Sequence, residues 1–137
     1  MELKRIQRQL QRIYEVDVPH DVDDFLVTDV EMLKSLGDDS PDVDEKLLVL
    51  QQGDEVELAL YLRPEIVERL REDNPENRLH GGNIADFCTA LEGVSHFLYL
   101  TWNAQHDRPV PLMELEMQAE VDKYVSAAML FGAQRDG

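Results

Sequence analysis

Cysteine is nearly missing from this sequence, since Cys88 is the only one among 137 residues. One thiol cannot form an internal disulfide, and it cannot supply the several thiolates of a cysteine-rich zinc site. A chain of this length builds a hydrophobic core without such cross-links. We therefore expect one domain over residues 1–137, located in a reducing, cytoplasmic compartment.

Long apolar runs and familiar catalytic motifs are also missing. No run approaches the roughly 18–20 apolar residues of a membrane-spanning helix. The sequence has no Gly-x-Ser-x-Gly elbow, no phosphate-binding loop and no His-Glu-x-x-His zinc motif. These absences argue against integration into a membrane and favour a non-enzymatic role.

Basic residues are few, with 13 Lys and Arg against 29 Asp and Glu, which gives a formal net charge of −16. Phosphate contacts need a surface of Lys and Arg, so direct nucleic-acid binding and adsorption to an anionic membrane are disfavoured. Residues 1–15 carry four bases against two acids, a local balance of +2, whereas acids crowd residues 16–45. This segregation is typical of a protein that meets other macromolecules through charge.

The apolar pattern predicts an α+β fold in three parts. Residues 1–15 form a basic amphipathic helix, with Leu3, Ile6, Leu10 and Ile13 at helical spacing. Residues 16–62 are acidic and contain strands, and residues 63–131 are helical. We expect a small antiparallel sheet of about three strands, covered by helices. Either the N-terminal helix packs on its own domain, which we favour, or Arg5, Arg8 and Arg12 serve to contact a partner.

Residues 46–62 predict a β-hairpin around Gly53 and Asp54. The second arm alternates apolar and polar residues, so Leu58 and Leu60 are expected to be buried and Glu57 exposed. The first arm is continuously apolar, which favours a central strand covered on both faces. Residues 25–27 are a further short strand.

The remaining helices are predicted from caps and periodicity. Thr28 begins a capping box for a short helix that ends before Gly37. Residues 38–45 then form an acidic loop, which lacks the ligand spacing of an EF-hand. Two long helices, about 84–104 and 112–131, form a C-terminal antiparallel hairpin, with Gly132 ending the second.

One constellation of metal-ligating residues lies on those two helices. Glu92 and His96 are four residues apart on the first, and Glu116 and Glu120 are four apart on the second. If these faces meet, they predict a site for a divalent cation such as manganese, iron or zinc. The alternative is that they are solvated polar faces and that the opposite sides of the two helices pack. The packed residues would then be Phe87, Leu91, Val94 and Leu98 on the first helix and Met117, Val121, Tyr124 and Ala128 on the second. Cys88 is interpreted as a buried, inert thiol rather than a nucleophile.

These observations favour a non-enzymatic, acidic protein–protein interaction module, such as an adaptor, a chaperone for a basic client or an assembly subunit. The expected partner is another protein or a second copy of the chain. One alternative is a small metal-dependent enzyme built on Glu92, His96, Glu116 and Glu120. A further alternative is an acidic mimic of DNA.

Overall fold

The computed structural model describes residues 1–35 and 43–136, and it confirms the α+β class. A three-stranded sheet is covered by helices, and none of the helices in these two ranges is long and apolar enough to cross a membrane. In chain order the elements are α1 (Leu3–Tyr14), a 3-10 helix (Val22–Phe25), β1 (Leu26–Val27), α2 (Val30–Ser35), β2 (Glu45–Gln52), β3 (Glu55–Leu62), α3 (Pro64–Glu72), α4 (Ile84–Gln105) and α5 (Leu112–Asp136).

The sheet has the order β1-β3-β2, so β3 is the central strand and β2 lies at an edge. This corrects the prediction that the first arm of the hairpin is central. The hairpin itself is antiparallel as predicted, but β1 runs parallel to β3, which makes the sheet mixed. Local hydrophobicity did not reveal this strand order. The order depends on how the chain crosses from β1 to β3, and no local pattern encodes that crossover.

Several side chains of β3 are buried because β3 is the central strand of the sheet. Leu60 is fully buried and Glu57 is exposed, as predicted, whereas Leu58 is only half-buried. Ala59 and Tyr61 on the opposite face are buried as well, because a central strand near the middle of the fold is covered on both sides.

Helix α1 packs on its own domain, which confirms the preferred prediction. Leu3, Ile6 and Leu10 are buried in the core, and Ile13 packs against it while half-exposed. The Met1 ammonium donates a 2.8 Å hydrogen bond to the Leu70 carbonyl oxygen, which fixes the start of the helix. An isolated helix of this length is marginally stable, so these tertiary contacts hold it.

The ends of two helices differ from the prediction. Helix α5 continues through Gly132 to Asp136. At α2 the cap is Asp29, whose Oδ1 accepts a 2.9 Å hydrogen bond from the Glu31 amide, and not Thr28. The predicted stop at Gly37 and the acidic loop over 38–42 lie outside the described residues.

Candidate functional site

Two polar clusters flank the packed seam between α4 and α5, and the first surrounds His96. The His96 residue is only 4 % exposed. Its Nε2 lies 3.7 Å from Glu92 Oε1, one turn earlier on α4, and 3.4 Å from Glu116 Oε1 on α5. The structure therefore brings together three of the four residues predicted as metal ligands, and metal binding itself stays a prediction.

Glu45 joins this cluster, although the sequence analysis did not select it. It is the first residue of β2, and the register places it on the same sheet face as Leu47 and Leu60. Glu45, Glu92 and His96 each offer a ligand atom, and these atoms all lie within 4.8 Å of one another. The apolar run of β2 does not alternate, so the available signal was only the two-residue period of any strand, which puts Glu45 in phase with Leu47.

A glycine on α4 makes room for the Glu45 side chain. A Cβ at Gly93 would stand 3.1 Å from Glu45 Cγ and 2.9 Å from Leu60 Cδ1. Contacts that short require one of the neighbours to move. Gly93 thus allows β2 to lie close enough to α4 for the Glu45 carboxyl group to reach His96.

Glu120, the fourth predicted ligand, faces a lysine instead. Its Oε1 lies 2.6 Å from Lys123 Nζ, and its side chain is 71 % exposed. The same Nζ lies 3.5 Å from Glu92 Oε2, so Lys123 borders the cluster on the outer side. Glu120 lies four residues, or about 6 Å, further along α5 than Glu116, and there it meets Lys123 instead of His96.

Burial dominates the electrostatics of this cluster. Desolvation, together with the negative charges of Glu92 and Glu116, raises the pKa of Glu45 to about 8. Burial lowers the pKa of His96, while the charges of Glu116 and Glu92 oppose that shift. The imidazole is therefore held in its neutral form, and Glu45 retains a proton to unusually high pH.

The second cluster surrounds Asp122 on the other side of the seam. Asp122 is buried, and it accepts hydrogen bonds from Ser95 Oγ at 2.6 Å, from Gln118 Nε2 at 2.9 Å and from the Tyr14 hydroxyl. Burial and the bond to Asp122 raise the pKa of Tyr14 to about 12. This carboxylate has three donors, so the cluster is a structural link between α1, α4 and α5.

The outer face of α5 carries an apolar stripe, defined here as Met113, Met117, Val121, Tyr124 and Phe131. The first four of these side chains are between 53 % and 78 % exposed, and Phe131 is 44 % exposed. Their spacing of four or three residues, with a gap at Ala128, keeps them on one side of the helix. The prediction that Met117, Val121, Tyr124 and Ala128 pack inside is wrong, because all four are exposed and Ala119, Asp122 and Ser126 are buried instead. The matching prediction for α4 is confirmed, since its packed residues are buried: Phe87, Leu91, Val94 and Leu98.

The remaining candidate residues are the N-terminal arginines and Cys88. Arg5 pairs with Glu76 at 2.6 Å, so part of the N-terminal charge serves the fold. Arg8 and Arg12 are exposed, and within the described ranges neither forms an ion pair. Cys88 is half-buried, and burial raises the pKa of its thiol, which disfavours a reactive thiolate.

Comparison with known proteins identifies no relative, since no protein-family model, curated protein or solved structure matches this chain.

Proposed function

We propose that this protein is a non-enzymatic adaptor that binds a cationic amphipathic helix of a partner protein along the apolar stripe of α5. The observation that carries this proposal is the exposure of that stripe. Continuous apolar patches of this kind are uncommon on monomeric proteins and are typical of binding surfaces. A cytoplasmic location remains part of the proposal.

The shape and composition of the stripe support a helical partner. Its members run along nearly the full length of a 25-residue helix, so a second helix can lie beside it and bury them together. Two of its members, Met113 and Met117, have flexible thioether side chains, which adapt to differently shaped partners. Leu112 is also exposed at the start of the helix and extends the apolar surface.

Charge complementarity supports a cationic partner rather than a second copy. The chain carries a net charge of −16, and α5 itself contains five acids against two bases. Exposed Glu116 and Glu120 border the stripe on one side. Two such surfaces repel each other, whereas a partner helix with Lys or Arg beside its apolar face would pair with these carboxylates.

A designed peptide provides the direct test. The probe is a fluorescein-labelled, 18-residue helix-forming peptide with leucine on one face and lysine on the other. The matched control peptide has glutamate at every lysine position. Fluorescence anisotropy is expected to show saturable binding of the lysine peptide, weakening as salt rises, and no binding of the glutamate peptide.

Two double variants locate the binding surface. Met117→Gln with Val121→Gln is expected to weaken binding at least about tenfold, which corresponds to roughly 1.4 kcal/mol. Val49→Gln with Val56→Gln serves as the control, because these side chains are similarly exposed, at 52 % and 58 %, on the β-hairpin. Equal loss in both double variants, or no binding of the lysine peptide, would overturn the proposal. A dimer mass in light scattering that reverts to monomer only in the α5 variant would assign the stripe to self-association instead.

A further inference from the structure

The cluster around His96 gathers several acidic side chains about one buried imidazole. Three carboxyl groups and one imidazole converge from β2, α4 and α5, and Lys123 lies at the outer border. Lys123 lies near Glu92, and its closest partner is Glu120.

Two buried polar atoms at this cluster are left unsatisfied. Glu45 Oε1 and His96 Nδ1 are inaccessible to solvent, and neither has a hydrogen-bond partner among the described residues. Buried polar atoms are paired in the great majority of cases, so two orphans in one cluster require an explanation. The His96 side chain is more than nine-tenths buried, and its Nε2 is directed at the carboxylates of Glu92 and Glu116.

We propose that Glu45, Glu92, His96 and Glu116 bind one divalent transition-metal ion of the zinc or manganese type. One imidazole with carboxylate oxygens is a ligand set that these ions accept. Calcium and magnesium prefer ligand sets made only of oxygen, so the histidine favours a transition metal over them.

The geometry needs only small side-chain movements to reach a bound arrangement. Donor atoms that share one ion lie about 3–4 Å apart, since each bond is about 2 Å long. The separations of 3.4 Å and 3.7 Å at His96 are already in that range, and the Glu45, Glu92 and His96 donors fall within 4.8 Å. Glutamate side chains have enough rotatable bonds to close the remaining gap.

A bound ion would join the edge strand β2 to both long helices. Glu116 belongs to this site and also borders the apolar stripe, so the variants that test the two proposals leave Glu116 unchanged.

Calorimetry on tag-free, chelator-treated protein tests the proposal, because a histidine tag would itself bind the probe ions. Titration with zinc chloride and with manganese chloride is expected to show one saturable site per chain for at least one of the two ions. Magnesium and calcium chloride are expected to bind at least about a hundredfold more weakly.

Four variants locate the site. Glu45→Gln and His96→Gln are each expected to weaken zinc binding at least about tenfold. Glu45→Gln retains the side-chain volume, so the fold is preserved and a thermal melt checks it. Glu57→Gln, with the same change in charge on an exposed part of β3, is expected to bind zinc as the parent does, and Glu120→Gln within about twofold. Absence of saturable binding of either probe ion, or zinc affinity that survives both Glu45→Gln and His96→Gln, would overturn the proposal.

Discussion

The side chain of Glu45 lies against Gly93, and the missing side chain at Gly93 lets the edge strand β2 approach α4 closely. A Cβ at Gly93 would lie 3.1 Å from Glu45 Cγ. The relationship joins a strand residue to a helix residue 48 positions later in the sequence. It explains how an acid at the start of β2 reaches a histidine on α4.

Replacing Gly93 tests this contact. Gly93→Ala is expected to lower the free energy of unfolding by about 1–3 kcal/mol, because the new methyl group would overlap Leu60 and Glu45. Urea unfolding followed by circular dichroism measures the change. Gly132→Ala is the control, since nothing lies within 4 Å of a Cβ there, and a helical alanine is expected to stabilise by about 0.5–1 kcal/mol. Equal stabilisation by both substitutions would contradict the close approach.

The core-facing register of β3 gives a second prediction. Leu60→Ala is expected to destabilise the protein by about 2–5 kcal/mol, because it leaves a cavity at a fully buried position. Val56→Ala, at a position that is 58 % exposed on the same strand, is expected to cost less than about 1 kcal/mol. Denaturant midpoints of the two variants measure the difference, and a similar cost for both would contradict the burial of Leu60.

Helix α1 gives a third prediction, which separates its structural role from a role in binding. Ile6→Ala is expected to cost about 2–5 kcal/mol, because Ile6 is fully buried in the core. Exposed Arg8→Ala is expected to change stability by less than about 0.5 kcal/mol. Deletion of residues 1–15 is expected to lower the melting temperature. An unchanged melting temperature after that deletion would mean that α1 is a separate arm.

The fourth prediction concerns Tyr14, whose ionisation is expected near pH 12. Burial raises the pKa of this phenol, and the hydrogen bond to Asp122 and the charge of Asp122 raise it further. The folded state therefore favours the neutral phenol. The resulting stabilisation is complete below about pH 10 and is lost as the pH rises through 12.

Ultraviolet absorbance of tyrosinate, compared between the parent and Tyr14→Phe, isolates this titration. Asp122→Asn is expected to shift the Tyr14 midpoint to lower pH, because it removes a negative charge beside the phenol. An Asp122→Asn midpoint equal to the parent's would show that Asp122 does not hold the Tyr14 proton.

Much of the secondary structure could be predicted from local patterns. The apolar spacing of Leu3, Ile6 and Leu10 specified α1 and its buried face, because a helix repeats every 3.6 residues. The alternation in β3 specified the hairpin and the burial of Leu60. The spacing of Glu92 and His96 correctly placed them on one face of α4.

Tertiary structure decided which faces meet. Periodicity predicts that Met117, Val121 and Tyr124 share one face of α5. It does not predict whether that face is buried, because α5 has apolar residues on all sides. It also could not rank the strands, because β1 reaches β3 through a crossover that no local pattern encodes. The position of Glu45 beside His96 likewise depends on the packing of β2 against α4, which no local pattern encodes. Sequence determined which residues lie on a common face, and only the packing of distant elements determined which of those faces were buried together and which stayed exposed.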